Sequence, residues 1–449
     1  MSRTPHAPNG PFHPESALDF LPEPHLRALQ LQRLRATVDR VWHKVEFMRR
    51  RLEHAAVTPD DIRSLDDLRR LPFTEKSDLR DTYPYGLFAC PMADVVRLHA
   101  SSGTTGKPIV VGYTREDMGV WSNVIVRALA ATGMHSGDIL QNAYGYGLFT
   151  GGLGLHHGAE ALGATVIPIS GGNSERQIMV MRDFGVTAIS CTPSYFVHLI
   201  EKGAAMGVHL KDLPLRIGVF GAEPWSEEMR RRIEAETSIR AFDIYGLSEI
   251  IGPGVGIECT CQDGLHLFED HFLFEVLDPR SGEPVAPGEE GELVITTLSK
   301  QAMPVLRYRT HDMTRRLTEP CACGRSLARI ARISRRSDDM LIIRGVNVFP
   351  SQIEAALLKV EQTLPHYQIV VRREHEMDEM EIRIEVTAAV FSDRVGEIER
   401  ITSRLSHAVE STTGIRARIS LVEPQTLQRS EGKAKRVLDL RQPTSPAPA

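Results

Sequence analysis

The sequence is short of every feature that would announce a role by composition alone. Six cysteines in 449 residues are too sparse for the disulfide framework of a small secreted domain. No stretch approaches the roughly 18 apolar residues that a membrane span requires; the most apolar region, Leu153 to Ile169, is broken by His156, His157 and Glu160. Glycine and proline, 35 and 27 residues, are too few for a fibrous or low-complexity chain. Neither charge dominates: 53 basic against 58 acidic side chains leave a net charge of −5, which excludes a general attraction to nucleic acid or anionic lipid. The segment Met1 to Phe20 is rich in Pro and His and has no apolar core of a signal peptide, so the expected compartment is the cytoplasm. What is present, 42% hydrophobic and 25% charged residues, suits a soluble globular protein of two or three domains.

Periodicity supplies the organisation. Residues 25–53 carry apolar positions at helical spacing among many charges and read as amphipathic surface helices. From Val95 onward, strand-like runs at Ile139–Tyr144, Ala164–Ile169, Val186–Cys191, Leu215–Phe220 and Ala241–Ile244 alternate with helical stretches at 115–133, 174–183, 194–206 and 226–236. That alternation predicts a parallel sheet with helices on its faces. Between about 265 and 335 the chain turns to short strands, among them Glu292–Thr297 and Val305–Tyr308, broken by Pro279-Arg-Ser-Gly282 and Pro287-Gly288. A smaller α+β pattern follows: helix 351–361, strands 367–373 and 380–387, helix 392–409 and strand 415–422. The expected fold class is α/β, a large N-terminal domain with a β-rich subdomain over 1–336 and a small mobile α+β domain over 337–449.

The segment with the most chemistry is Ser101-Ser-Gly-Thr-Thr-Gly-Lys-Pro108, set between two strand-like runs. Gly103 and Gly106 let backbone N–H groups turn toward an anion, and Ser101, Ser102, Thr104 and Thr105 add hydroxyl donors beside Lys107. It is not a Walker A loop: only two residues separate the glycines and Pro108 follows the lysine. The loop resembles the phosphate loop of the adenylate-forming enzymes, the superfamily of acyl-CoA synthetases, luciferases and peptide-synthetase adenylation domains. Four further segments resemble that superfamily's motifs in the same order: Tyr245-Gly-Leu-Ser-Glu249, Arg307-Tyr-Arg-Thr-His-Asp312, Arg336-Ser-Asp338 with Gly345, and Ser430-Glu-Gly-Lys433. Tyr144-Gly-Tyr-Gly-Leu-Phe-Thr-Gly-Gly152, Phe220-Gly-Ala-Glu-Pro-Trp225, Glu269-Asp-His-Phe272 and Asp338 to Ser351 resemble the aryl-acid–CoA ligases within it.

The resemblance implies an ATP-dependent ligase that adenylates an aryl acid, phenylacetate first among them, and transfers the acyl group to CoA. Each residue also has its own chemistry. Tyr245 and Gly246 at a strand end offer a flat ring and clearance for adenine, Glu249 a hard oxygen for Mg²⁺, and Asp312 a carboxylate for the ribose hydroxyls. Gly221, Ala222, Glu223, Asp243, Ser248 and Arg336 join the ATP site by the resemblance alone. Lys433 becomes the catalytic lysine of adenylation, a point charge suited to a pentavalent phosphorus; Lys435 is its rival, and the Gly-Lys spacing favours Lys433. Tyr144, Tyr146, Phe149, Gly151, Phe220 and Gly221 form the expected acyl pocket, flat-walled with a glycine floor. Asp338 is the implied hinge and Gly345 a CoA contact. Three positions depart from the pattern: Arg335 and His311 stand where glycine is usual, and Gln428 replaces a proline.

The cysteines carry a second expectation. Cys259, Cys261 and His266 lie close in sequence, and Cys321-Ala-Cys323-Gly324 supplies a knuckle-like turn. Five N/S donors are available for a four-coordinate structural zinc. Likeness to some bacterial relatives selects Cys259, His266, Cys321 and Cys323, leaving Cys261 spare. The expected partners are therefore small molecules (ATP, aryl acid, CoA) and Mg²⁺, with neither nucleic acid nor membrane, and with room for a homodimer. Two other readings compete: an adenylating enzyme that loads a different acceptor, and a nucleotide-binding regulator without catalysis. Retention of both Glu249 and Lys433 speaks against the second.

Overall fold

A computed structural model describes residues 13–101, 108–337, 341–343, 346–360, 363–374, 377–387, 390, 395–428 and 436–441. The chain forms two compact units. One comprises Met1–Cys191, Leu213–Ala222 and Ile239–Ile333; the other comprises Thr192–Asp212, Glu223–Ser238 and Ser334–Ala449.

The first unit opens with helices α1 (Glu23–Lys44), α2 (Glu46–His54) and α3 (Lys76–Asp81). The apolar stripe read in residues 25–53 faces inward: Leu34, Val38, Val41 and Leu52 are fully buried in the main core. Strands β1 (Arg97–Ser101) and β2 (Ile109–Tyr113) pair antiparallel. Then come α4 (Arg115–Ala131), β3 (Ile139–Asn142), α5 (Thr150–Leu162), β4 (Thr165–Ile167), α6 (Ser174–Asp183) and β5 (Ala188–Cys191). Thr114 caps α4, its hydroxyl accepting from the Asp117 N–H while the Asp117 carboxylate accepts from the Thr114 N–H, a reciprocal arrangement that satisfies two orphan donors.

The chain passes through α7 (Pro193–Ala205) and α8 (Glu227–Glu236), which belong to the second unit, on either side of β6 (Ile217–Gly221). The first unit continues with β7 (Arg240–Leu247), β8 (Gly252–Glu258), β9 (Leu265–Leu267), β10 (Phe272–Leu277), β11 (Glu290–Thr297), β12 (Tyr308–Leu317) and β13 (Arg329–Ile330). One sheet joins these in the order β10-β11-β12-β13-β9-β8-β7-β6-β5-β3-β4. Pairing is parallel from β4 to β7 and antiparallel from β7 to β10. The predicted parallel sheet and the β-rich segment are thus halves of one structure. Both sheet edges are blunted: β4 has three residues and runs into Pro168, and Pro284 bridges to Leu277 on β10.

One strand prediction needs correction. Val305–Tyr308 was expected to be extended, yet the strand begins at Tyr308. Arg307 takes φ +43°, and the N–H groups of Val305 and Arg307 donate to the hydroxyls of Thr297 and Thr296, while the Val305 carbonyl accepts from the Thr297 N–H at 3.0 Å.

The second unit contains α7 and α8, then β14 (Arg335–Arg336), β15 (Leu341–Ile343), β16 (Val346–Val348), α9 (Pro350–Leu357), β17 (Thr363–Glu374), β18 (Met377–Val386), α10 (Val395–Thr413), β19 (Arg418–Val422) and β20 (Val437–Asp439). Its sheet runs β19-β18-β17-β20 over a core of its own that includes Ile343, Ile353, Ile369, Ile382, Leu405 and Val409. A large α/β part and a smaller α+β part therefore stand as the composition pattern indicated. Among the described residues, no helix is long and apolar enough to cross a membrane.

Candidate active site

The carboxyl ends of the parallel strands carry the predicted residues, as expected where strand order reverses, here between β3 and β5. Asn142 ends β3 and fixes the loop that follows. Its Nδ2 donates to the Tyr146 hydroxyl at 2.7 Å and to the Gly152 carbonyl at 2.7 Å, and its Oδ1 accepts from Ser190 Oγ at 3.0 Å on β5. The Tyr146 hydroxyl lies 3.1 Å from His156 Nδ1, and His156 Nε2 lies 3.0 Å from Glu160. Burial lifts the Tyr146 phenol to about 12, so it stays protonated. Tyr144 sits beside Gly151, where a Cβ would stand 3.5 Å from the ring, and Phe149 is half exposed. Gly152 is required by contact: a Cβ there would meet the Gly145 carbonyl oxygen at 2.4 Å. Phe220 on β6 is fully buried, its ring over Gly218. Gly221 allows no side chain, since a Cβ would stand 2.3 Å from the Ile244 carbonyl, and Ala222 takes φ +68°.

A second cluster forms where β7 turns into β8. The Tyr245 hydroxyl donates to Asp312 Oδ2 at 2.6 Å, bringing two motifs that are far apart in sequence into one crevice. Gly246 lies against Gly252, whose carbonyl oxygen would be 1.9 Å from a Cβ; the hairpin closes only with glycine there. Ser248 Oγ pairs with Thr150 Oγ1 at 3.1 Å. Asp243 donates its N–H to Glu258 at 2.8 Å, and its carboxylate faces Arg332 at 3.4 Å. Glu249 is buried, and its carboxylate has no hydrogen-bond or ion-pair partner among the described residues.

His311 explains how the usual glycine is replaced. It takes φ +62°, the left-handed region glycine enters freely. Its N–H donates to Glu292 Oε1 at 3.0 Å, and its ring lies 3.5 Å from Glu292 and 3.8 Å from Glu75. Two carboxylates thus offset the strain at the residue before Asp312.

Ser101 ends β1; Ser102, Gly103, Thr104, Thr105, Gly106, Lys107, Asp338, Gly345 and Lys433 fall outside the described residues. In the second unit, Arg336 is a half-buried strand residue, and Glu223 accepts from the Ser194 N–H at 2.8 Å, at the first turn of α7.

Sequence reasoning missed Lys300. This fully buried ammonium donates to the Glu249 carbonyl at 3.1 Å and stands 5.0 Å over the Tyr113 ring. Burial pulls it down to about 8. Nothing in Ser299-Lys300-Gln301 marks it, since lone lysines in turns are usually solvated.

The cysteine loops form a separate, closed cluster. Ligand atoms of Cys259, His266, Cys321 and Cys323, all four buried, lie within 4.8 Å of one another. Cys259 Sγ is 3.6 Å from Cys321 Sγ, and Cys323 Sγ is 3.4 Å from His266 Nε2. Tetrahedral zinc with bonds of about 2.3 Å to sulfur and about 2.0 Å to nitrogen needs separations of about 3.8 and 3.5 Å, so the donor set fits. Cys261 is exposed and only its N–H points to Cys259. Close by, Arg127 is fully buried between Asp19 and Asp270, Arg325 reaches Asp19, and His271 lies 3.1 Å from Asp270.

Comparison with known proteins identifies the family. Residues 43–303 match the model of the AMP-binding enzyme family, and residues 345–441 match that of the AMP-binding enzyme C-terminal domain. A phenylacetate-coenzyme A ligase of Thermus thermophilus is 51% identical, covering 96% of this chain and 99% of the relative. Its Escherichia coli namesake is 50% identical over 93% and 95%. Among solved structures, 2-hydroxyisobutyryl-CoA ligase in the postadenylation state with 2-HIB-AMP superimposes with a TM-score of 0.90 at 28% identity, covering 98% of this chain and 95% of that one.

Proposed function

The chain belongs to the AMP-binding enzymes, within their phenylacetate–CoA ligase group, and from that premise we propose that it activates phenylacetate by adenylation and passes the acyl group to CoA. The acid's carboxylate oxygen attacks the α-phosphorus of ATP, forming the acyl-adenylate and expelling pyrophosphate. The CoA thiol then attacks the acyl carbonyl, forming the thioester and expelling AMP. Two displacements replace one unfavourable condensation.

The observation that carries the site reading is the bond from Tyr245, near the end of β7, to Asp312 in the middle of β12, with the partnerless carboxylate of Glu249 in the turn that follows β7. In this reading the Tyr245 ring takes the adenine, Asp312 the ribose hydroxyls and Glu249 the Mg²⁺ of Mg·ATP. Gly221, Ala222, Glu223, Asp243, Ser248 and Arg336 line the nucleotide, and the Ser101–Lys107 loop takes its phosphates. The acid lies among Tyr144, Tyr146, Phe149, Gly151 and Phe220. The division of labour falls at residue 336: residues 1–336 bind ATP and aryl acid, while 337–449 bring Lys433 to the α-phosphate, Gly345 to CoA, and the hinge at Asp338. The cluster of Cys259, His266, Cys321 and Cys323 holds a structural zinc that leaves no open coordination position and takes no part in the chemistry. The protein works in the cytoplasm, and a homodimer is compatible with this reading.

AMP release measured across a panel of aryl acids, with and without CoA, tests the assignment. Phenylacetate should give the highest kcat/KM, and multiple turnovers should require CoA. AMP release unchanged by CoA would reject the acceptor. Lys433→Ala should lose acid-dependent pyrophosphate exchange while binding ATP normally; retained exchange would move the role to Lys435.

A further inference from the structure

Lys300 has no role in the reaction as described, yet its setting is unusual. An ammonium without solvent costs several kcal/mol unless it is compensated. Among the described residues, no carboxylate comes within ion-pair distance of it. Its one hydrogen bond goes to the main-chain carbonyl of Glu249 at 3.1 Å, and its nearest aromatic face is Tyr113 at 5.0 Å.

The surrounding structure holds this lysine firmly. The Asp117 carboxylate accepts from the backbone N–H groups of Gln301 at 2.6 Å and Ala302 at 2.9 Å while also capping α4. Tyr113 stacks on Trp121 with ring centroids 4.9 Å apart, and its hydroxyl donates to the Ile251 carbonyl at 3.1 Å. Trp121 Nε1 donates to the Pro253 carbonyl at 3.0 Å. Three donors from separate segments therefore grip this hairpin, at Glu249 and Ile251 in the turn between β7 and β8 and at Pro253 in β8. Among the described residues, only Lys300 reaches the residue that carries the partnerless carboxylate.

From this geometry we infer that Lys300 is a positioning residue for Glu249: by holding the Glu249 carbonyl it fixes the direction in which the carboxylate meets the cation of the metal–nucleotide substrate. The inference rests on the reading of Glu249 as the metal-facing carboxylate. Without the ammonium, a buried carbonyl loses its charge-assisted partner. The tight turn relieves that loss by rotating the Glu249 peptide, which swings the side chain with it.

The charge of Lys300 alone would act with the opposite sign. A buried positive charge near Glu249 repels a cation, so removing it would tighten metal binding. Positioning and simple electrostatics therefore predict opposite results for one variant.

The experiment measures Mn²⁺ binding by electron paramagnetic resonance in the presence of α,β-methylene-ATP, together with the melting temperature and the Mg²⁺ dependence of pyrophosphate exchange. Lys300→Met keeps the length and removes the ammonium. It should weaken Mn²⁺ binding about tenfold, the scale of one charge-assisted hydrogen bond, and raise the Mg²⁺ concentration for half-maximal exchange in parallel. Nucleotide binding without metal should stay at the wild-type level. Unchanged or tighter Mn²⁺ binding overturns the inference. If Lys300→Met does not fold, Tyr113→Phe removes the hydroxyl on the same turn; it should weaken Mn²⁺ binding about threefold, within the range of one neutral hydrogen bond, and wild-type binding there overturns the inference. Glu249→Gln separates the two levels: if it leaves Mn²⁺ binding intact, the reading of Glu249 itself fails, whatever Lys300 does.

Discussion

Two clusters in one unit, which we propose meet ions in different ways, differ in where their donors point. In the cluster of Cys259, His266, Cys321 and Cys323, every ligand atom faces the others and all four residues are buried. In the cluster of Tyr245, Asp312 and Glu249, also largely buried, the Glu249 carboxylate has no hydrogen-bond or ion-pair partner among the described residues. The closed set is complete in itself, and an ion there can only bind loops together. In the proposed reading the open set takes its counter-charge from a substrate. Donor chemistry suits the same proposed division: soft thiols and imidazole for an ion that stays, a hard carboxylate for one that comes and goes with phosphate.

The largest effect should come from the open set. Glu249→Gln keeps the shape and removes the charge, and pyrophosphate exchange should fall about a hundredfold or more with an unchanged melting temperature. A loss of stability in place of activity would make Glu249 a structural residue and erase the contrast. At the closed set the expectation reverses. Cys321→Ser should release one bound zinc per chain by elemental analysis and lower stability by about 3 kcal/mol, the usual scale for losing a structural ligand. Turnover per folded molecule, titrated with a tight-binding adenylate analogue, should not change.

Acid should act at a third place. His271, whose Nδ1 lies 2.7 Å from Ser299 Oγ, is held neutral by burial at about 4, against an ordinary value of 6.5. The unfolded chain therefore takes up this proton first. Stability from this group is present above pH 6.5 and is lost as the pH falls toward 4. Melting curves over that range should drop, and His271→Asn should flatten the drop; an identical slope in the variant would assign the acid sensitivity to other groups. The smallest effect belongs to His311→Gly. Glycine relieves the left-handed backbone but loses the Glu292 contacts and gains unfolded-state entropy, so stability should move by less than about 1 kcal/mol. A large loss would mean that the imidazole itself holds Asp312 in place.

Much of this contrast was legible in the sequence. The Cys-x-Cys pairs, together with His266, marked the closed cluster because metal ligands recur at short spacings on turns. The Tyr-Gly-Leu-Ser-Glu and Arg-Tyr-Arg-Thr-His-Asp segments marked the crevice by resemblance, though only the fold brings Tyr245 to Asp312. The alternation of strands and helices gave the parallel half. It did not reveal that β7 continues into the antiparallel half, because pairing partners far apart in sequence leave no local signal. Lys300 was invisible for a related reason: its meaning lies in the Glu249 carbonyl, a main-chain atom every residue carries. The start of β12 was misplaced because the positive φ of Arg307 is set by hydroxyls on the neighbouring strand β11.

The blunted edges of the large sheet bear on what happens at high concentration. A strand edge with free N–H and C=O groups is a template for a second molecule. On one side β4 offers three residues before Pro168, which has no N–H to donate. On the other, Pro284 and Val285 lie along β10, with the Val285 N–H donating to the Val276 carbonyl at 3.1 Å. A short β4 and a covered end of β10 reduce the length of edge with which a second chain can pair when the protein is crowded.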